Sequence, residues 1–226
     1  YGLYNSASSP TMTNVSASGS GGGDFTIGVM NSMSSSPAMT GVTASAKGGT
    51  ETYGVYNHNS SAPAMTGVIA SASAGTTSIG VFNNNSSPTM TNVTASATGK
   101  TTCIGVYNEE SSPSMTRVSA SASGGVSINT GVYNVSSLLT MTDVTASASG
   151  GTRSSGVVNY QSNPVMTNVT ASASGGTDTY GVYNNNSSVT INNSVISASG
   201  GGMNYGISNI ADSGTFIVLV NNSQVS

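Results

Sequence analysis

Seven carboxylates, one histidine and one cysteine are the residues whose types could do acid–base or nucleophilic work. The acids are Asp24, Glu51, Glu109, Glu110, Asp143, Asp178 and Asp212, the histidine is His58 and the thiol is Cys103. Cleaving a glycosidic bond takes two carboxyl groups within about 10 Å of each other. The acids do not recur at equivalent positions in neighbouring segments, so no such pair is expected. His58 has no Ser-Asp context that would make it a base, and it reads as a solvated turn residue. Cys103 has no partner for an internal disulfide and stands where sister segments carry Ser78 or Ser154, which marks a tolerated small residue. There is no calcium-binding nonapeptide of the Gly-Gly-x-Gly-x-Asp kind, no zinc spacing and no phosphate loop. The sequence therefore predicts no catalytic residue, no metal set and no cofactor.

What would position any site is a repeat. A Gly-Val-Tyr-Asn-like tetrad begins at Gly2, Gly28, Gly54, Gly80, Gly105, Gly131, Gly156, Gly181 and Gly206, at intervals of 25 or 26 residues. Three stretches of each unit favour strand: the tetrad with its predecessor (Tyr53 to Asn57), the stretch around Met90-Thr91-Asn92-Val93, and an alternating run. In that run Val93, Ala95 and Ala97 share one face and Thr94, Ser96 and Thr98 the other, the signature of a half-buried strand. Ser-Ser-Pro and Gly-Gly-Thr clusters between them are turn chemistry, and no segment has a helical period. Three short strands in about 25 residues make one coil of a β-solenoid, which buries its inner face only by stacking on the next. The expected fold is all-β, a right-handed parallel β-helix of about nine coils. Residues 1–212 form the repeats and residues 213–226 a divergent segment acting as a cap or an inter-subunit contact. At about 4.8 Å per coil the rod would be on the order of 40 Å long.

Like residues then fall into columns. The tetrad asparagine occurs in every unit: Asn5, Asn31, Asn57, Asn83, Asn108, Asn134, Asn159, Asn184 and Asn209. A primary amide both donates and accepts, so stacked copies can bond one another. Met12, Met39, Met65, Met90, Met115, Met141 and Met166, followed by Ile191, read as adaptable core filler. The prolines Pro10, Pro37, Pro63, Pro88, Pro113 and Pro164 each precede this position by two residues, where a missing N–H is tolerable. Tyr4, Tyr56, Phe82, Tyr107, Tyr133 and Tyr183 follow the tetrad valine position, so alternation turns their rings outward as a candidate contact surface. Arg117 and Asp143 share a column in adjacent coils and predict an exposed ion pair.

Tyr-Gly-Val-Tyr-Asn, Ser-Ser-Pro-x-Met-Thr-Asn-Val and Ala-Ser-Ala-Ser-Gly-Gly together resemble the repeats of right-handed parallel β-helix proteins. More narrowly, they are similar to a bacterial surface or secreted group with tandem YGIYN-SSSPTITNSTISASGG repeats, and residues 180 to 201 come nearest. The resemblance implies the fold and an extracellular setting. The wider superfamily also holds pectate lyases, polygalacturonases and phage tailspikes, whose enzymes set several carboxylates on one outer strand face.

Only 5% of residues are charged, and four scattered Lys/Arg cannot neutralise a run of phosphates, which excludes nucleic acid as a partner. The longest apolar run, Phe216 to Val220, is too short to span a bilayer. No leader is visible, as for a mature or trimmed secreted product. Few basic residues leave few tryptic sites, useful outside a cell. Asn-x-Ser/Thr sequences such as Asn92-Val93-Thr94 and Asn186-Ser187-Ser188 leave glycosylation open. The pattern opens without a cap at Tyr1 and Leu3 and decays at Phe216, Val218 and Val220, so the ends are candidate assembly surfaces for head-to-tail self-association. The function expected is a non-catalytic structural subunit of an extracellular filament, sheath or surface layer. The alternative is a surface adhesin or glycan-binding rod using the tyrosine stripe. Ice binding through the Thr/Ser lattice and a degenerate polysaccharide-active enzyme rank below both.

Overall fold

Alternation becomes strand wherever the sequence carries it. In the run from Thr94, the alanines Ala95 and Ala97 are buried while Thr94 and Thr98 are exposed. In the computed structural model, which describes residues 1–212 and 214–226, the chain is all β and winds as a parallel solenoid of about nine turns. Strands pair in parallel with their counterparts one coil away, Met90 opposite Met65 and Met115, and Asn108 opposite Asn83 and Asn134. One sheet of nine short strands carries the methionine column, from Thr11–Thr13 to Val218–Asn221. A second sheet holds the Ala-Ser strands and the tetrad strands together.

Two details depart from the expected coil. The methionine strand stops at Thr91, because Asn92 takes a left-handed conformation (φ 54°) and turns the corner. The same corner is built by Asn14, Gly41, Gly67, Arg117, Asp143, Asn168, Asn193 and Asn222, mostly the residue types that tolerate this region. Secondly, the three strands are not always separate. In Ile69–Asn84, Thr94–Glu109, Thr170–Asn185 and Val195–Ile210, an Ala-Ser strand runs into the following tetrad as one strand of 16 residues. The ladder survives that corner by shifting register between Thr98 and Thr102, so a bulge replaces the turn.

The corner also redirects its charges. Arg117 donates from Nε to Asn92 Oδ1 of the preceding coil (2.7 Å), and Asp143 accepts from Asn168 Nδ2 of the following one (3.0 Å). The ion pair expected between them is not made, because each side chain turns to the opposite neighbour.

The interior is narrow. Valines such as Val81 and Val106, the methionines Met39 to Met166, Ile191 and the first alanine of each Ala-Ser strand, such as Ala95 and Ala120, form one continuous buried column, while Ala97, Ala122 and Cys103 form a separate cluster. The tetrad glycines face the backbone of the Ala-Ser strand across it. A Cβ on Gly80 would lie 2.6 Å from the Gly105 carbonyl oxygen and 2.7 Å from the Ser96 nitrogen. Close approach, and not an unusual φ, is why this column is glycine.

Two side-chain ladders run beside the backbone ladder. Each tetrad asparagine donates from Nδ2 to Oδ1 of the next, at 2.7–2.8 Å from Asn5 through to Asn209. In Asn31 and Asn57 Nδ2 also lies 3.6 and 3.7 Å from the Sδ of Met39 and Met65. The second ladder uses the first serine of Ser-Ser-Pro: the N–H groups of Ser86, Ser111, Ser137 and Ser162 donate to the hydroxyl one coil on, at 2.9–3.1 Å. Those hydroxyls, from Ser111 to Ser187, in turn donate to a carbonyl two residues back.

The divergent segment from residue 214 onward continues the winding. Val218–Asn221 adds a rung below Val189–Asn192, Asn222 donates to Asn193 Oδ1 (2.8 Å), and Gln224–Val225 extends the Ala-Ser ladder. Ser213, where the boundary was placed, lies outside the described residues.

Gly80→Ala should lower the free energy of unfolding by about 3 kcal/mol or more, since backbone and not a flexible side chain must move. Asn108→Ala leaves Asn83 Nδ2 and Asn134 Oδ1 buried without partners, a loss of about 2–6 kcal/mol. Urea denaturation followed by far-UV circular dichroism measures both, and a loss below about 1 kcal/mol in either would be inconsistent with this packing.

Candidate functional site

The surface with most chemical character is the outer face of the tetrad strands. Pairing skips the tetrad glycine: Ile104 pairs with Ile79 and Val106 with Val81. Gly and Val therefore both turn inward, and the residues before and after them emerge on one outer face. Alternation alone would send the residue before the glycine inward. Two adjoining columns result. One holds Ile27, Tyr53, Ile79, Ile104 and Tyr180, and the other Met30, Tyr56, Phe82, Tyr107, Tyr133 and Tyr183. Ile27, Tyr53, Ile79, Phe82 and Ile104 form an apolar cluster separate from the core, with Tyr56, Tyr107 and Tyr133 half-buried against it.

The rings stack on one another. Centroids are 5.0 Å apart for Tyr56–Phe82, 4.8 Å for Phe82–Tyr107 and 5.1 Å for Tyr107–Tyr133, with planes within 11°. Within this stack the ring faces are thus occupied by neighbouring rings. The series breaks at Val158, and there the Arg153 guanidinium lies over Tyr183 (5.1 Å) and Tyr180 (5.8 Å) in place of a ring. At the first coil Tyr4 is exposed and stacks with Tyr1 at 5.6 Å.

Polar groups border these columns. The Tyr53 hydroxyl donates to Glu51, and the Tyr107 hydroxyl to Glu109 Oε1 (3.3 Å). Glu109 Oε2 also accepts from Asn84 Nδ2 (2.6 Å), and Asn84 Oδ1 lies 3.0 Å from His58 Nδ1. His58 is consequently not the free turn residue expected. It is half-buried, its ring 5.3 Å from that of Tyr56, in a file of hydrogen-bonded side chains. Burial first, and then Glu51, holds the Tyr53 phenol well above its ordinary range. Burial and Glu109 do the same to Tyr107.

These groups do not assemble into a catalytic set. Glu51 and Glu109 lie two coils apart, in different columns, and each is engaged by a phenol. Among the described residues no three of His, Cys, Asp and Glu gather as metal ligands. Cys103 is fully buried in register with Ser78 and Asn129, and burial pushes its thiol up, away from the reactive thiolate. A cleft of about 300 Å³ at the Ser-Ser-Pro corner is lined by Pro113, Leu138, Leu139, Asn163 and hydroxyls, with no titratable group.

At the candidate assembly ends, Tyr1 is exposed and Leu3 half-buried. At the other end Phe216 and Val220 are exposed and Val218 half-buried. Asn209, the last rung of the amide ladder, is itself exposed.

No protein-family model matches this sequence. No curated protein matches it either. Among solved structures the chain is similar to HetL, a pentapeptide repeat protein involved in heterocyst differentiation regulation from the cyanobacterium Nostoc sp. strain PCC 7120. That alignment has 9% identity, covers 96% of this chain and 88% of HetL, and has a TM-score of 0.22. So low a score carries no argument about fold or function. The fold rests on the strand register, and the tandem-repeat group remains a resemblance.

The raised phenols give stability a direction with pH. An ordinary tyrosine in the unfolded chain titrates near pH 10, whereas Tyr53 and Tyr107 in the fold keep their protons to higher pH. Their contribution is therefore full below about pH 10 and is lost as pH rises through the folded-state values. Urea midpoints should fall steadily above about pH 10. The Tyr53→Phe/Tyr107→Phe double variant should show a shallower fall, and an identical slope would contradict the burial of these hydroxyls.

Proposed function

We propose that this chain is a non-catalytic structural rod of an extracellular filament, sheath or surface layer, lengthened head-to-tail through its solenoid ends. The observation that carries this reading is the direction of the amide ladder. Every coil from Asn5 to Asn184 donates to the coil after it, so each coil accepts on one side and donates on the other. The ladder is therefore polar, and a copy stacked in register would set its Asn5 Oδ1 against Asn209 Nδ2 as one more rung of the same direction.

Backbone edges match the same scheme. Leu3–Ser6, Thr11–Thr13 and Ser16–Ser20 pair with the coil that follows, Val218–Asn221 and Gln224–Val225 with the coil that precedes, so the register is the same at both ends. A second copy added in register would bring Asn5 against Asn209, with Tyr1 and Leu3 facing the last coil and Phe216, Val218 and Val220 facing the first. Main-chain pairing of this kind supplies affinity, and a head-to-tail contact that does not close on itself produces a filament. Low charge and few basic residues suit an extracellular setting.

The glycan-binding alternative finds less support in this surface. Sugars pack on the faces of aromatic rings, and both faces of Phe82 and Tyr107 and one face each of Tyr56 and Tyr133 are taken by neighbouring rings.

Electron microscopy of the purified protein over a range of concentrations tests the proposal. Rods lengthening in steps of about 40 Å are expected, and Val220→Lys should shorten them by placing a charge at the junction. Particles of one fixed length at every concentration would defeat it.

A further inference from the structure

Beside the ring columns runs a third outward column in continuous register: Glu51, Thr77, Thr102, Ile128 and Arg153. All five are half-buried and lie on the face of Tyr53, whose hydroxyl meets Glu51. The order of charge along it is distinctive. Glu51 stands two coils before Thr102, and Arg153 two coils after it. Arg153 stacks on Tyr180 and Tyr183 instead of pairing with Asp178, its neighbour in the next coil, so its N–H edges remain available in a fixed orientation.

We propose that this face docks a second copy of the chain, the two rods lying side by side and antiparallel about a two-fold axis along the strands at the level of Thr102. In a two-fold contact residue i of one rod meets residue j of the other and j meets i in return, so only residues on the axis meet their own copies. Coils equally distant from Thr102 on opposite sides then meet. Thr102 faces its own copy and Thr77 faces Ile128. Glu51 faces Arg153 twice, once from each rod. In the ring column Tyr107 faces itself and Phe82 faces Tyr133. A parallel arrangement would bring coils of the same level together and oppose like charges, so charge complementarity selects the antiparallel one.

The strip from the Phe25 coil to the Asp178 coil is about 30 Å long and about 16 Å wide. Doubled over two partners, that is about 1,000 Å² in total, at the low end for a specific contact. The dimer is consequently weak and concentration-dependent. Glu109, which accepts from Asn84 and Tyr107, meets its own copy at the level of the axis. Removing that charge strengthens the pair.

Two experiments test the proposal on the whole chain. In sedimentation velocity, Glu51→Arg and Arg153→Glu each weaken side-by-side dimerisation by about tenfold or more, Glu51→Arg/Arg153→Glu together restore it, and Glu109→Gln tightens it. In denaturing electrophoresis after reaction with a short bismaleimide, Thr102→Cys forms a covalent dimer, because the axis sets the two residues opposite each other on faces about 10 Å apart; Cys103 is buried and does not compete. This second arm does not depend on the charge variants folding. The crosslink is at mid-rod, so it forms whether or not the ends assemble, and a failure of the end-to-end reading leaves it intact. Absence of the Thr102→Cys dimer at concentrations where the wild type associates, or a double charge swap no better than the single ones, overturns the proposal.

Discussion

A primary amide buried in a coil of 25 or 26 residues is satisfied only if the next coil sets another amide at the same height. That requirement governs this molecule. The asparagine bonds stay at 2.7–2.8 Å along the whole rod, whether the coil has 25 residues or 26. The extra residue of a longer coil is taken up at the corners and bulges, away from the ladder. Each copy repeats the same polar geometry in a dry interior, and an error in any rung would leave two polar groups without partners.

Other features follow from the need to stack. Glycine lines the tetrad because backbone from the Ala-Ser strand passes within contact distance of it. So narrow a section leaves no lumen for a ligand, and the core is a file of Val, Met and Ala. The left-handed corner after each methionine strand takes Asn, Asp or Gly in all coils but one, where Arg117 occupies it. Functional variety is therefore confined to outward positions, where rings, carboxylates and one arginine differ from coil to coil without disturbing the ladder.

The asparagine and methionine columns were legible because period and burial coincide: a residue type recurring every 25 or 26 positions in a β-solenoid can only stack on itself. The alternation from Val93 to Thr98 was legible for the same reason. What alternation hid lies at the glycine. Skipping it in the pairing sends Tyr53 and Tyr180 outward beside the expected stripe, so the aromatic face is two columns wide. The clue was the tetrad glycine itself, a residue without Cβ where a strand would otherwise hold a side chain. Shared column position also misled for Arg117 and Asp143, since a left-handed corner aims successive side chains at different neighbours. His58 looked isolated in sequence, and its partner Asn84, itself bonded to Glu109 of the coil beyond, comes from the next coil.

Hydrogen bonds between side-chain amides can be seen directly by nuclear magnetic resonance, through scalar coupling from the donor nitrogen to the acceptor's carbonyl carbon. Stacked coils predict a cross-peak from Nδ2 of each interior tetrad asparagine to Cγ of the next, Asn57 to Asn83, Asn83 to Asn108 and Asn108 to Asn134 among them. They also predict amide protons that exchange slowly with solvent. Asparagine side chains without such couplings, exchanging as fast as those of an unfolded chain, would contradict the ladder and the fold built on it.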